Sequence, residues 1–314
     1  MDLPIRNPYP RQLIVDIHSF CNARCVICPY PELKSKLPLG IMEEALFRKI
    51  IDEFGNIANE HNFKGSILFC NMGELFFYPE LAYERMRYVM QAGLDFNIQT
   101  NAAMLSPDAV DRLIDMGFNG GIVISFHGIT PAVYKQIMGL DVIKTLNNID
   151  YLSRNYPKGR ICIQSIPHNW PLGEARRIRR YFHSKGLRVR MPLPNNRAGL
   201  VTKIGLVDKH KLIGCKADRP LGEMVISFNG DVVLCCNDMA QKEVVGNLEN
   251  NTILEIWNGR VMMNKLEQIY CGKSSPDDFI CKKCEFAITS HSSIMRIARN
   301  IRHECRKLFL TRIW

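Results

Sequence analysis

From Gln12 to about Arg197 short β-branched runs alternate with longer helix-like stretches. This constrains the chain more than any other feature, because it is the pattern of repeated βα units around a parallel sheet. Six units are read. Strands are expected near Leu13 to His18, Ser66 to Cys70, Asp95 to Thr100, Gly121 to Phe126, Arg160 to Ile166 and Arg188 to Leu193. Helical candidates between them run Met42 to Asn59, Pro79 to Ala92, Ser106 to Met116, Val142 to Asn155 and Leu172 to Lys185, several opened by Ser or Pro. Near Cys215 the pattern changes. The run EMVISFNGDVVLCC alternates about Asn229-Gly230, which predicts a hairpin whose type I′ turn takes positive φ at both central residues. A single helix is expected from Thr252 to Tyr270, then a loop ending in CKKC. A tail follows in which Ile294, Ile297, Ile301, Cys305 and Leu308 recur at helical spacing among arginines. The expected division is 1–200, 201–289 and 290–314.

Cysteine is unusually frequent, with twelve in 314 residues. The first fifteen residues carry Asp2, Arg6 and Arg11, and no apolar run approaches the roughly 18 residues a membrane span needs. A cytoplasmic location is therefore expected, and there metal or redox use outranks a disulfide framework. Seven of the thiols fall into two sets with metal-like spacing, leaving Cys70, Cys162, Cys236, Cys271 and Cys305. In the first set Cys21, Cys25 and Cys28 form CxxxCxxC directly after the first strand, at the carboxyl face where βα barrels place active sites. Three thiolates stand where an iron-sulfur cube needs four, so one iron is left open to a ligand that is not protein. An open position marks a reacting metal site, as a closed one marks a structural site. A zinc ion borrowing these thiolates plus a distant ligand is the structural alternative.

The cysteine run resembles the signature of the radical S-adenosylmethionine superfamily. That resemblance implies an α/β fold, a partial (β/α)6 TIM-like barrel, with a catalytic 4Fe-4S cluster whose open iron is chelated by S-adenosylmethionine. It also implies reductive cleavage of the cofactor to a 5′-deoxyadenosyl radical that takes hydrogen from an unactivated C–H bond. Further stations follow in order. NMGEL is similar to the family's GGEP, with Met72 and Leu75 as departures, and assigns Gly73 and Glu74 to an amino group. QTNA resembles the TNG turn and places Asn101 near the adenosine or its ribose, while ISFHG delivers Ser125 to the cofactor carboxylate or ribose. Without the cysteines, Asn101 reads as a turn residue, Ser125 as a satisfied hydroxyl and His127 as a structural histidine. PLPNNRAG is similar to a segment of relatives that carry a carboxy-terminal cluster. There Arg197 contacts substrate or cofactor, in binding or deprotonation; the alternative is a surface ion pair.

The second set, Cys215, Cys235, Cys281 and Cys284 with Gly230 between, resembles the SPASM/Twitch type of module, a small β-hairpin and helix domain. It implies one auxiliary 4Fe-4S cluster, closed by four thiolates and suited to passing electrons. Strand alternation points Cys236 away from Cys235. Cys271 is a candidate hydrogen-atom donor of the kind related radical epimerases use; otherwise it is an inert thiol.

The formal charge of +10 is concentrated in the tail, where Arg296, Arg299, Arg302, Arg306, Lys307 and Arg312 face only Glu304. No nucleic-acid partner is expected from so mildly basic a body. The basic helical tail either packs on the barrel or meets an anionic membrane surface or partner. The leading expectation is a radical oxidoreductase acting on a small polar substrate, a sugar or aminocyclitol. An external reductase such as flavodoxin or ferredoxin would feed it, and the auxiliary cluster would accept an electron. Epimerisation through Cys271, modification of a ribosomal peptide, and a non-catalytic iron-sulfur or zinc protein are the alternatives. The dozen or so residues before the first strand leave no room for a fused leader-binding domain, which counts against the peptide reading.

Overall fold

The computed structural model describes residues 3–69 and 71–289; Cys70 and the basic tail 290–314, with Cys305, lie outside the described residues. In the first region β1 (Gln12–Val15) leads through α1 (Tyr30–Leu33) and α2 (Glu44–Glu60) to β2 (Ser66–Phe69). Then come α3 (Pro79–Gln91), β3 (Asp95–Thr100), α4 (Pro107–Asp115) and β4 (Ile122–Ser125). The region closes with α5 (Pro131–Met138), α6 (Val142–Asn155), β5 (Ile161–Gln164), α7 (Glu174–Ser184) and β6 (Arg188–Arg190). The second region holds β7 (Leu212–Cys215), β8 (Glu223–Ile226), β9 (Asp231–Val233) and β10 (Val244–Asn247). It ends with α8 (Ile253–Asn258), α9 (Arg260–Tyr270) and β11 (Ala287–Thr289).

Local chemistry sets these elements. Pro occupies the first position of α3, α4 and α5, where its missing N–H costs nothing. Ser106 caps α4 by accepting from the Ala109 N–H, and Asp141 caps α6 through the N–H groups of Ile143 and Lys144. Along α2 the residues Leu46, Phe47, Ile50, Ile51, Phe54 and Ile57 recur on one face and are buried against the sheet. Each of β1 to β5 lies parallel beside its successor, and all the strand ends that carry the sequence motifs emerge on one side. The six do not close on themselves: β6 ends the sheet, and the other neighbour of β1 is β8.

That neighbour belongs to the second region. β8 runs parallel to β1 with Gln12 opposite Glu223 and Val15 opposite Ile226, and β9 and β10 extend the sheet antiparallel to nine strands. Both strands read as short continuous apolar runs, as strands covered on both faces do. β7 and β11 form a separate two-stranded ladder.

Three expectations are corrected. The hairpin turn is not type I′: only Gly230 has positive φ, at 82°, the Gly230 N–H donates to Ser227 O, and the Ser227 N–H donates to Asp231 O. Three residues, Phe228 to Gly230, therefore lie between the hydrogen-bonded pair Ser227 and Asp231, with glycine at the left-handed position that follows a tight turn. The single helix 252–270 is two, broken at Gly259, which is extended (φ −68°, ψ 156°) and so cannot continue a helix. The sixth strand stops at Arg190 because Pro192 and Pro194 bring no N–H to a ladder. α5 was not anticipated at all.

Candidate active site and thiol cavities

The loop after β1 carries Cys21, Cys25 and Cys28 into a cavity of about 130 Å³ at the carboxyl ends of the strands. The loop is clamped by backbone: Arg24 N donates to Met138 O and Val26 N to Ile137 O, both 2.9 Å, so the end of α5 holds the cysteines in place. Burial pushes the Cys21 thiol up to about 12 and Cys25 well above its ordinary value. Burial raises Cys28 too, opposed by the charge of Arg197. Such thiols ionise only against a cation, which is the behaviour of metal ligands that release protons on loading. Three thiols on one wall, with polar strand ends opposite, fit a cluster with one iron open.

The NMGEL loop is tied down by Asp16, which the sequence reading missed. Its Oδ1 accepts from Asn71 N at 2.6 Å and Met72 N at 2.9 Å, and burial raises its pKa to about 6. An acid at the end of the apolar run LIVD was the available signal. Gly73 sits where no side chain fits: a Cβ there would lie 2.9 Å from both His18 O and Phe20 O. Glu74 is fully buried, and burial pushes it up to about 7 against its hydrogen bonds. Both oxygens are engaged by the next strand's turn, Oε1 by Thr100 Oγ1 at 2.5 Å and Oε2 by Asn101 N at 2.7 Å. The residue lines the cavity, but it spends its carboxylate on the Thr100-Asn101 turn.

Asn101 Nδ2 in turn donates to Asn22 Oδ1 at 2.7 Å, which joins that turn to the cysteine loop. Ser125 Oγ accepts from Gln99 Nε2 at 3.2 Å, leaving its proton for the cavity. His127 lines the same wall. Its Nδ1 accepts from Ile166 N at 3.1 Å and burial lowers its pKa to about 4, so the ring is neutral with its proton on Nε2, a donor and not a base. Gln164 completes this side, its Oε1 held by Arg190 Nη2 at 2.5 Å.

Arg197 closes the cavity from the far side with left-handed backbone (φ 49°), and its Nη1 donates to Cys236 O at 3.5 Å and Asn237 Oδ1 at 3.4 Å. The next residue, Ala198, lines a second, mostly apolar cavity together with Cys215, Cys235, Cys281 and Cys284. Those four thiols come from the end of β7, the chain just past β9, and one turn at Ile280–Lys283. Burial raises each of Cys215, Cys281 and Cys284, and Cys235 is raised by the hydrogen bond of Cys236 and by burial. The donor set fits a closed cluster. Among the described residues no three of His, Cys, Asp or Glu are gathered to hold a single metal ion; the thiols are instead distributed around two cavities.

Cys236 corrects its expectation. β9 ends at Val233, so strand alternation no longer governs, and the Cys235 and Cys236 thiols touch instead of diverging. Arg219 Nη1 reaches Cys236 Sγ at 2.8 Å. Cys271 caps the end of α9 and lines neither cavity. Asn22, Gln99, Gln164, Arg219 and Asn237 carried no motif and were not singled out by sequence.

Comparison with known proteins agrees with this geometry. Residues 15–167 match the radical SAM superfamily, and residues 215–285 match SPASM, an iron-sulfur cluster-binding domain. The S-adenosyl-L-methionine-dependent 2-deoxy-scyllo-inosamine dehydrogenase of Niallia circulans is 23% identical over 278 residues, 86% of this chain and 90% of that protein. Among solved structures, BtrN in complex with AdoMet and 2-DOIA covers 88% of this chain and 92% of its own at 20% identity, with a TM-score of 0.57. Streptococcus suis SuiB bound to the precursor peptide SuiA superimposes over 90% of this chain and 71% of its own at 14% identity, with a TM-score of 0.64. At such identities the structural likeness establishes the shared fold.

Proposed function

From the premise that this chain is a radical SAM superfamily protein with a SPASM cluster-binding domain, we propose that it oxidises a small polar substrate, a sugar or aminocyclitol, by two electrons. When bound, the catalytic 4Fe-4S cluster and S-adenosylmethionine supply the radical that removes a carbon-bound hydrogen. Cys21, Cys25 and Cys28 would hold that cluster, and Cys215, Cys235, Cys281 and Cys284 one auxiliary cluster.

One observation carries the choice of oxidation: consecutive residues, Arg197 and Ala198, line the two thiol cavities. The wall of the first cavity thus continues directly into the wall of the second, which supports an electron acceptor beside the substrate cavity. Gly73, Glu74 and Asn101 shape the cofactor wall; Glu74 acts by fixing the turn that carries Asn101. Ser125 offers a hydroxyl proton and His127 a ring N–H, both suited to oxygen acceptors. Neither is a base at neutral pH; Arg197, a guanidinium with donors only, would bind the substrate oxygen and stabilise it as its proton leaves to water. The likeness to an aminocyclitol dehydrogenase supports the substrate class. Epimerisation through Cys271 has no comparable support, since that thiol lines neither cavity.

The test is anaerobic reconstitution to about eight irons, the sum of two cubes, followed by incubation with S-adenosylmethionine and 2-deoxy-scyllo-inosamine. We expect 5′-deoxyadenosine and a product two electrons more oxidised. A redox-neutral product carrying one solvent deuterium in deuterated water, lost on Cys271→Ala, establishes the epimerase; absence of 5′-deoxyadenosine with bound zinc removes the enzyme reading altogether.

A further inference from the structure

Asn237 is 3% exposed and belongs to no sequence motif, yet its amide stands between the two thiol cavities. Its Oδ1 accepts from Arg197 Nη1 and from Arg219 Nη1, each at 3.4 Å. Its Nδ2 points at Cys284 Sγ, 3.8 Å away. Guanidinium nitrogens only donate, so the amide atom they share is the oxygen, and the N–H end faces the sulfur. The chain of contacts runs without a break from a residue lining the first cavity, Arg197, to a thiol of the second.

We propose that Asn237 is a positioning residue that sets the reduction potential of the auxiliary cluster and passes to it the charge held at the substrate cavity by Arg197. The proposal rests on the reading that Cys215, Cys235, Cys281 and Cys284 hold a redox-active cluster. Hydrogen bonds to cluster sulfurs, and positive charge nearby, stabilise the reduced and more negative form. Asn237 delivers both: its own N–H to Cys284, and the orientation of two guanidinium groups whose donors converge on its oxygen. Arg197 at once faces the cavity and holds this amide, so a change in its charge environment reaches the cluster through Asn237. The dipeptide Cys235-Cys236 precedes it directly, and the Cys236 carbonyl takes a second hydrogen bond from Arg197, which fixes the backbone on which Asn237 stands.

The experiment is a reductive titration of the reconstituted enzyme, both clusters present, followed by the electron paramagnetic resonance signal of the auxiliary cluster. Asn237→Leu keeps the volume and removes all three contacts. We expect its midpoint to fall by about 59 mV, a tenfold lower reduced fraction at fixed poise for a one-electron couple. Asn237→Asp keeps the acceptor for the arginines, loses the N–H toward sulfur and adds negative charge, and its shift is in the same direction and larger. Arg197→Gln lowers the midpoint in the native background but adds nothing in the Asn237→Leu background, because both act through one route. Unmoved midpoints in the two Asn237 variants at normal iron content overturn the proposal. So does loss of auxiliary iron from both variants, which makes the residue structural only. So too does an Arg197→Gln shift of equal size in both backgrounds. About four irons in the wild-type protein in place of about eight would instead remove the reading beneath the proposal.

Discussion

At the scale of the residue, the cavity is built by groups that hold other groups. Glu74 is the clearest, because its pH behaviour is set by burial against a fixed ring of donors. Unfolded, the carboxyl titrates near its ordinary 4.5; folded, it is held up to about 7. Between those values the native protein keeps a proton that the unfolded chain has released, so its contribution to stability is full below about 4.5 and is lost as pH rises toward 7. Asp16 acts in the same sense between 3.8 and about 6. For cluster-free protein, the urea midpoint of wild type relative to Glu74→Gln should therefore decline across this range; a difference that grows with pH would show that the donors outweigh burial. Gly73→Ala forces a methyl to 2.9 Å from two carbonyl oxygens and should cost about 1 to 3 kcal/mol, with S-adenosylmethionine binding lost before the fold. Urea unfolding and equilibrium dialysis read the two effects separately. That Gly73, Asn101 and Ser125 line one cavity was legible because they sit at fixed offsets in short motifs. Asp16 and Asn237 were not, because each takes its meaning from partners dozens of residues away, Asp16 from Asn71 and Asn237 from Arg197.

At the scale of the element, propensity and capping predict well where the signal is local. The strand at Asp95–Thr100 and the helix at Val142–Asn155 fall on the expected residues, the first from alternation and the second from an apolar stripe behind a capping aspartate. The failures are equally physical. The stretch from Thr252 to Tyr270 keeps helical spacing of apolar residues on both sides of Gly259, so the break is invisible to periodicity, although the Thr252–Glu255 capping box is complete. Thr252→Ala removes that cap and should lower stability by about 1 kcal/mol, measurable as a shift in the urea midpoint at unchanged slope. α5 is short and lies close before α6, and two neighbouring helices in one connection are not what a simple βα reading supplies. Yet its last turn carries the hydrogen bonds that seat the cysteine loop.

At the scale of the whole molecule, the nine-stranded sheet joins the two sequence regions through β1 and β8. Nothing in the separate patterns of the two strands announced this pairing, since parallel partners share no turn. The union predicts that the regions unfold together. Cluster-free protein should show one urea transition by both fluorescence and circular dichroism, and two resolved transitions would refute that coupling. Truncation after Gly205 removes β8 and bares the ladder groups of β1 along one edge. The fragment should aggregate or elute as high-mass species in size-exclusion chromatography, because an uncovered apolar strand templates pairing with other chains. Among the described residues no helix is long and apolar enough to cross a membrane.

The same pairing sets a timetable. β1 leaves the ribosome well before the strand that covers its second edge, which ends at Ile226 and emerges about 200 residues later. At synthesis rates of about 5 to 20 residues per second, the interval is roughly 10 to 40 s. Throughout it the nascent barrel carries an open apolar edge beside the loop of Cys21, Cys25 and Cys28. A nascent chain in that state is a client for chaperones, and iron delivered before Ile226 has emerged would meet a site whose supporting sheet is still unfinished.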